Sequence, residues 1–336
     1  MKKILFIIGI VLLCGKMVAQ DLHFSQFYAS PLTLNPANTG WYNGDWRISG
    51  NYRQQWKAID NRPFSTYALG VERQFAHYLN FFSVGVQLLS DESGYVGLRA
   101  HKALLSGSYA RNINGHSLSL GFQAGVVYKS TNIDRYTYDE QFDLGGESVF
   151  NPNFPISELA QEPILYPLFH AGLLWSKTFA GKFAPEVGIA FFNINSPKET
   201  FYGTSSRDTR LPLRTSLSLG GDFTISDNII IQPTLLYMIE HQAKEFLFGS
   251  NLVYTAFEHI KPFAGTFIRY GSYTNFDASA WVIGARYGRW RFGVSYDVNI
   301  STLRTATHGR GAIEFSLVYI SPSTRNSLIK IPCDRL

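Results

Sequence analysis

An alternation of apolar and polar residues, repeated along most of the chain, is the feature that most constrains the fold. Between Trp290 and Ile300, apolar or aromatic residues occupy every second position, with small, polar or charged residues between them. Because successive side chains of a β-strand point to opposite faces, this period of two predicts a strand with one apolar and one polar face. One such strand is compatible with a soluble β-sandwich as well as with a membrane barrel.

The number and length of these segments favour the membrane barrel. Most have on the order of 10 to 13 residues, which reaches the tilted span of a bilayer, whereas strands of soluble proteins more often have about 5 or 6. About fourteen segments show the pattern, and they lie at 46–57, 64–75, 80–90, 98–111, 116–129, 167–179, 182–192, 211–224, 229–240, 245–256, 262–271, 276–287, 290–300 and 311–320. The sequence therefore predicts an all-β fold, a single antiparallel transmembrane β-barrel of about fourteen strands.

The connections between the segments are sorted by length. Every second connection is short, and these lie at 76–79, 112–115, 180–181, 225–228, 257–261 and 288–289. The opposite set contains the two longest connections, 130–166 and 193–210, and also 301–310. Bacterial outer-membrane barrels have short periplasmic turns and longer external loops, and a soluble fold has no reason to sort its loops in this way. We therefore expect an outer-membrane barrel of a Gram-negative cell with a periplasmic N-terminal segment. If both termini are periplasmic, the short connections are the periplasmic ones.

Composition agrees with this class of protein. Charged residues make up 16% of the chain and aromatic residues 15%, and the mean hydropathy is −0.05. A helical membrane protein would contain apolar runs of about 18 residues or more, and the chain after residue 19 contains none. The net charge of +5 is spread without a basic run, so the sequence does not indicate nucleic-acid binding.

The first residues predict export. Lys2 and Lys3 form a basic region, Ile4 to Leu13 form an apolar region, and Ala19 precedes the expected cleavage point. Residues 1–19 are therefore predicted to be a cleaved signal peptide. Removing them leaves Cys333 as the one cysteine, so neither an internal disulfide nor a thiolate zinc site is expected.

The same alternation assigns side chains to the two faces of the barrel wall. On segment 116–129, the residues from Leu118 to Tyr128 with even numbers would face lipid, and those from Ser117 to Gly125 with odd numbers would face the lumen. Nine charged side chains are predicted to point inward: Arg47, Arg53, Glu72, Glu186, Asp222, Arg286, Arg291, Asp297 and Glu314. Such charges can pair with each other or with a plug, or they can line a water-filled pore, so the sequence leaves both an open and a closed lumen possible.

The sequence contains no pattern that favours catalysis. No zinc helix motif, phosphate-binding loop or dinucleotide fingerprint stands in a supporting context. The polar stretch from Glu240 to Glu245 includes His241 and is interpreted as a hairpin turn rather than a metal site. We expect no catalytic, metal or cofactor site and no enzyme activity; a membrane hydrolase ranks far below the binding functions.

Residues 20–45 differ from the strands that follow. Aromatic residues come first, and Pro31 and Pro36 then interrupt regular structure. An aromatic segment in the periplasm would expose apolar surface unless it packed in the lumen mouth or against a partner, and a disordered leader is the alternative. We therefore divide the chain into the signal peptide, an N-terminal periplasmic or plug segment at 20–45, a barrel at 46–321 and a C-terminal tail at 322–336.

Several blocks, in this order along the chain, are similar to one family. They are Phe24-Ser25-Gln26-Phe27-Tyr28, Pro31-Leu32-x-x-Asn35-Pro36-Ala37-x-x-Gly40, Arg47, Asn51-Tyr52-Arg53-Gln54-Gln55-Trp56, Phe292-Gly293-Val294-Ser295-Tyr296-Asp297-Val298-Asn299, Ser301-x-Leu303, Gly311-Ala312-x-Glu314, and Ile331-Pro332-Cys333, a variant of a cysteine-containing tail. Together they resemble the PorP/SprF family of Bacteroidota type IX secretion over essentially the whole mature chain. The Asn-Pro-Ala step also resembles, more distantly, the N-terminal hatch of long-chain fatty-acid transporter barrels.

The resemblance implies a non-enzymatic outer-membrane component of type IX secretion. Implied partners are the lipid bilayer, periplasmic and outer-membrane components of the apparatus, and a secreted surface protein with a C-terminal sorting domain, such as a gliding adhesin. It leaves open a core machine component or a dedicated adhesin partner. The motif residues expected to bind a partner or form a plug are Phe24, Ser25, Gln26, Phe27, Pro31, Asn35, Pro36, Ala37 and Gly40. The alternative function is a passive pore or hydrophobic-solute transporter with residues 35–37 in a hatch.

Overall fold

The computed structural model describes residues 24–57, 63–77, 80–94, 97–131, 137, 139–142, 150–151, 154, 163–180, 182–201, 209–272, 275–302 and 304–324. Within these ranges, no helix has the length and apolar character needed to cross a membrane. The predicted signal peptide, most of the predicted C-terminal tail and Cys333 lie outside the described residues.

In the described part of the chain, fourteen antiparallel strands form one closed barrel. The strands are β1 Trp46–Gln55, β2 Phe64–His77, β3 Asn80–Ser93, β4 Leu98–Ile113, β5 His116–Ser130, β6 Ile164–Lys177, β7 Phe183–Phe192, β8 Arg214–Ser226, β9 Ile229–Glu240, β10 Ala243–Tyr254, β11 Ile260–Gly271, β12 Asn275–Tyr287, β13 Trp290–Asn299 and β14 Arg310–Ile320. Each strand pairs with its sequence neighbours, and β1 pairs with β14 to close the barrel. This confirms the predicted fold.

The two ends of the barrel differ in their connections. At the end where β1 begins, which we call the short-turn end, β4 and β5 are joined by Asn114 and Gly115 alone. Both residues have positive φ, 52° and 80°, as in the two-residue turn that matches the twist of a hairpin. The opposite long-loop end carries the connections 131–163 and 193–213, of which parts lie outside the described residues. It also carries the predicted hairpin turn at His241, between β9 and β10.

The barrel wall is apolar outside and polar inside. On β5, Leu118, Leu120 and Phe122 are 45%, 42% and 60% exposed, whereas Ser117 and Ser119 are each 2% exposed. The same contrast recurs around the barrel, so that large apolar side chains cover its outer surface. An outer face of this kind is stable against lipid acyl chains.

Residues 24–42 lie inside the lumen, where all are buried or half-buried, and we call them the plug. Three short helical turns, Phe27–Ala29, Pro31–Leu34 and Pro36–Asn38, give the plug its shape. All residues of these turns are buried except Thr33 and Leu34, which are half-buried. The sequence predicted a periplasmic N-terminal or plug segment at 20–45, and the described residues of that segment contact the inner face of the barrel wall.

Candidate functional site

The plug traverses the lumen from the long-loop end to the short-turn end. Its first described residue, Phe24, belongs to an apolar cluster with Leu89 and Tyr166, which lie near the long-loop ends of β3 and β6. Near its other end, Trp41 packs against Phe81 with ring centroids 6.1 Å apart, and Phe81 is the second residue of β3. The chain then enters β1 at the short-turn end.

The wall binds the backbone of the plug at its first residues. The two carboxylate oxygens of Glu314 accept hydrogen bonds from the backbone N–H groups of Ser25 and Gln26, at 2.7 and 2.9 Å. The Gln26 amide lies between the strands: its Nε2 donates to Ser295 Oγ at 3.1 Å, and its Oε1 accepts from Ser316 Oγ at 2.7 Å. Gln26 is fully buried, so this set of bonds satisfies a polar side chain away from water.

The hydroxyl of Ser25 lies at the centre of a buried charge network. It donates to Asp297 Oδ2 at 2.8 Å and accepts from Arg53 Nη1 at 3.0 Å and Arg269 Nη2 at 2.7 Å. Both arginines also pair with Asp297, at 3.0 and 2.9 Å, and Arg53 pairs with Glu314. Because the four charged side chains are at most 6% exposed, each needs its partners to remain stable inside the barrel.

Aromatic packing holds the next part of the plug. The rings of Phe27 and Tyr28 lie 5.8 and 6.0 Å from the ring of Phe267 on β11. The guanidinium of Arg291 stands 4.7 Å above the Tyr28 ring and 4.3 Å from the ring of Phe263. Arg291 therefore combines a cation–π contact with the plug and one with the wall.

Asn35 anchors the Asn-Pro-Ala step. Its Oδ1 accepts from the backbone N–H of Ala37 at 2.8 Å, which caps the turn Pro36–Asn38. Its Nδ2 donates to the backbone carbonyls of Leu173 and Ile189, at 3.0 and 3.3 Å. A single side chain thus shapes the plug and attaches it to β6 and β7.

Wall glycines make room for this step. A Cβ on Gly172 would lie 1.9 Å from Asn35 Oδ1, and one on Gly121 would lie 2.3 Å from the backbone of Pro36 and Ala37. Contacts this short are incompatible with a side chain at either glycine unless the Asn35 side chain or the plug backbone moves. The glycines therefore allow the close approach that the plug requires.

Wall serines bind the backbone of the plug beyond the Asn-Pro-Ala step. Ser119 Oγ donates to the carbonyl of Ala37 at 2.8 Å, and Ser108 Oγ donates to that of Thr39 at 2.6 Å. Gly40 follows with φ of 70°, in the left-handed region that favours glycine.

Arg47 and Glu72 hold the last part of the plug. Glu72 Oε2 accepts from the Gly40 N–H at 2.9 Å, and Arg47 donates to the carbonyls of Asn38 and Trp41 at 2.9 and 3.3 Å. The same two side chains form an ion pair with each other. The ion pair and the plug backbone therefore stabilise one another.

The remaining predicted residues are placed as follows. Pro31 is buried at the start of the second helical turn, and its carbonyl accepts from Asn38 Nδ2 at 3.1 Å. Glu186 accepts from Trp41 Nε1 at 2.9 Å. Asp222 accepts from Gln232 on the neighbouring strand at 2.9 Å. Arg286 is half-buried and stands directly opposite Arg291 in the β12–β13 ladder.

Most of the chain matches one protein family. The family described as "Type IX secretion system membrane protein PorP/SprF" matches residues 17–319. The chain belongs to the PorP/SprF family. A comparison with curated protein sequences gives no match.

Solved structures similar to this PorP/SprF barrel include two channels. The CymD monoaromatic hydrocarbon channel has a TM-score of 0.52 at 11% identity, with 88% of this chain and 94% of that chain covered. The Pseudomonas putida toluene transporter TodX has a TM-score of 0.46 at 10% identity, with 86% and 92% covered. At such low identity, the likeness to CymD supports the barrel fold alone.

Family and fold together define the protein as an outer-membrane component of type IX secretion. This confirms the predicted family and the predicted location. Within the described residues, no group of three or more histidine, cysteine, aspartate or glutamate side chains is arranged to hold a metal ion.

Some residues of the site in this PorP/SprF protein were not identified from sequence. Arg269 was missed because it stands between Ile268 and Tyr270 in a segment of ordinary alternation. Trp41 and Tyr42 follow the motif blocks and were not included in them. The glycines that receive the plug occupy ordinary strand positions in the sequence, and only their distance to Asn35 and Pro36 distinguishes them.

Proposed function

We propose that this barrel is a closed, non-enzymatic scaffold that binds a secreted surface protein and holds it at the outer membrane or helps its export. In this proposal the long-loop end faces the exterior and contacts the secreted protein, such as a gliding adhesin with a C-terminal sorting domain. The short-turn end faces the periplasm and contacts other components of the secretion system.

The bonding of the plug to the wall is the observation that carries the proposal. The plug is bonded to β14 and β1 at its start, to β6 and β7 at Asn35, and to β2 at Gly40. A barrel filled in this way supports binding at its ends more readily than free diffusion through its lumen. The passive pore and the solute transporter both require the plug to move.

The long-loop end has features suited to a protein partner. In the connection 193–213, Lys198 and Arg210 form an isolated antiparallel bridge, and the Glu199 side chain pairs with Lys129 at the end of β5. Asn195 Nδ2 also donates to the carbonyl of Pro167 at 2.8 Å. The base of this loop is thus attached to the barrel, and an attached loop with strand edges supports recognition by β-addition.

The test is affinity purification of the tagged full chain from native outer membranes, followed by mass spectrometry. We expect a large secreted surface protein, or type IX components, at an abundance comparable to that of the barrel. Recovery of the barrel alone would overturn the proposal. Steady ion conductance of the reconstituted barrel would support the pore alternative instead.

A pair of variants locates the contact. One variant replaces the nine residues 200–208 with a two-residue turn. Its control carries an insertion of nine residues, as many as the first variant replaces, between Asn114 and Gly115 at the opposite end. We expect the first to lose the secreted protein and the control to keep it, with both inserted equally in the membrane. Equal recovery of the secreted protein by both variants would exclude the long loop as its binding surface.

A further inference from the structure

A groove lies on the outer, lipid-facing side of the barrel. It has a volume of about 870 Å³ and is lined by residues of seven neighbouring strands, β13, β14 and β1 to β5. Most of its lining side chains are apolar or aromatic. The volume falls within the range of about 300–1,000 Å³ that is typical of sites for small organic ligands.

Gly50 lines the groove on β1. It occupies an outward position of β1, and a Cβ built on it would have no atom within 4 Å. Its direct neighbours in the sheet are Leu317 on β14 and Leu69 on β2, both of which are exposed on the outer face. Because glycine has no side chain, a notch lies between these two leucines on the apolar outer wall.

Small outward residues continue the notch across the next strands. Ala103 on β4 stands opposite Leu88 on β3, and Ser90 stands opposite His101. Both Ala103 and Ser90 line the groove, so the depression extends across the wall instead of ending at Gly50.

One edge of the groove is polar. The rings of Tyr52 and Tyr67 lie 4.8 Å apart, and Tyr128 stacks on His101 at 6.4 Å. These residues lie nearer to the long-loop end than Gly50 does on β1 and Leu69 does on β2. At a membrane interface, amphipathic rings lie at headgroup depth, next to the apolar acyl chains. The tyrosines and the histidine lie beside the apolar floor of the groove in the same order.

We propose that the groove binds one acyl chain of a bilayer lipid, with its headgroup at the edge formed by Tyr52, Tyr67 and His101. The groove is continuous with the outer wall, which contacts lipid throughout, and its floor is apolar. A flexible acyl chain can follow a notch one side chain deep, whereas the convex wall of a second barrel would span it without filling it.

The experiment uses full-length barrel reconstituted in bilayers of palmitoyl-oleoyl-phosphatidylethanolamine and released for native mass spectrometry. We expect the native protein to retain one lipid through release. Gly50→Leu fills the notch and should reduce that retention at least fivefold. The control is Gly107→Leu on β4, outward-facing and outside the groove, where the nearest atom to an added Cβ is 3.9 Å away.

A second variant covers the case in which Gly50→Leu does not fold. Ala103→Leu narrows the groove from another strand and should lower lipid retention in the same direction. Retention by both groove variants equal to that of Gly107→Leu would overturn the proposal. Efficient disulfide formation between two copies of Ser90→Cys, in a Cys333→Ser background, would assign the groove to a second copy of the chain instead.

Discussion

Arg47 and Glu72 form a two-point ion pair inside the barrel, with Nε to Oε1 and Nη2 to Oε2 distances both of 2.7 Å. The two residues are direct partners in the β1–β2 ladder, and their side chains are 1% and 0% exposed. The pair thus joins two strands and the plug at one place, since both side chains also bond to plug backbone.

Removing one member of this pair should destabilise the barrel strongly. For Glu72→Gln we expect a loss of about 3–5 kcal/mol in the free energy of unfolding, because Arg47 is left as a buried charge without its carboxylate. Urea-induced unfolding in detergent micelles, followed by gel mobility and tryptophan fluorescence, measures the change.

The exposed ion pair between Arg99 and Glu92 serves as the control. Its side chains are 46% and 40% exposed, so Arg99→Met should cost at most about 1 kcal/mol. Equal effects of Glu72→Gln and Arg99→Met would contradict a structural role for the buried pair.

A methyl group at the glycine that faces Asn35 should displace the plug. Gly172→Ala puts a carbon 1.9 Å from Asn35 Oδ1, so the Asn35 side chain, which caps the Asn-Pro-Ala step and attaches it to β6, has to move. We expect the barrel to remain inserted but to conduct ions in planar bilayers. Gly50→Ala, on the outer face with no atom within 4 Å of the new carbon, should stay silent. A silent Gly172→Ala barrel would mean that the plug is seated by its other contacts alone.

Loss of the Ser25 hydroxyl should loosen the start of the plug. Ser25→Ala removes one donor and one acceptor from the network of Arg53, Arg269 and Asp297, and hydrogen bonds to charged groups contribute about 1.5–3 kcal/mol each. Hydrogen exchange of the backbone amides of residues 24–30 should become faster, while exchange near Gly40 stays unchanged. Unchanged exchange at both ends would show that Glu314 alone retains the segment.

The direction of the plug predicts the side on which the mature chain begins. The sequence predicted a periplasmic N-terminal segment, whereas Phe24 lies near the long-loop end. An epitope inserted directly before Phe24 should therefore be labelled on intact cells by a membrane-impermeant reagent. An epitope between Asn114 and Gly115 should be labelled only after permeabilisation, since short turns of bacterial barrels face the periplasm. The reverse pattern would contradict either the threading of the plug or the orientation of the barrel.

The strands and their number could be predicted from sequence because they depend on local patterns. The alternation from Trp290 to Ile300 requires only that one face of a strand meets lipid, and the positions of the fourteen segments agree with the strands to within a few residues. The inward direction of the charged side chains follows from the same period of two. No distant contact is needed for either inference.

The sequence by itself therefore determined a membrane barrel, its strand faces and an unusual N-terminal segment. Only the tertiary structure decided where that segment lies and what it touches. Ser25 bonds to Asp297, 272 residues away, and Asn35 lies against Gly172 on the opposite part of the wall. Which wall residue a plug residue meets depends on closure of the barrel and on the direction in which the plug traverses it. Both are properties of the closed ring of strands, and no local pattern of residues encodes them.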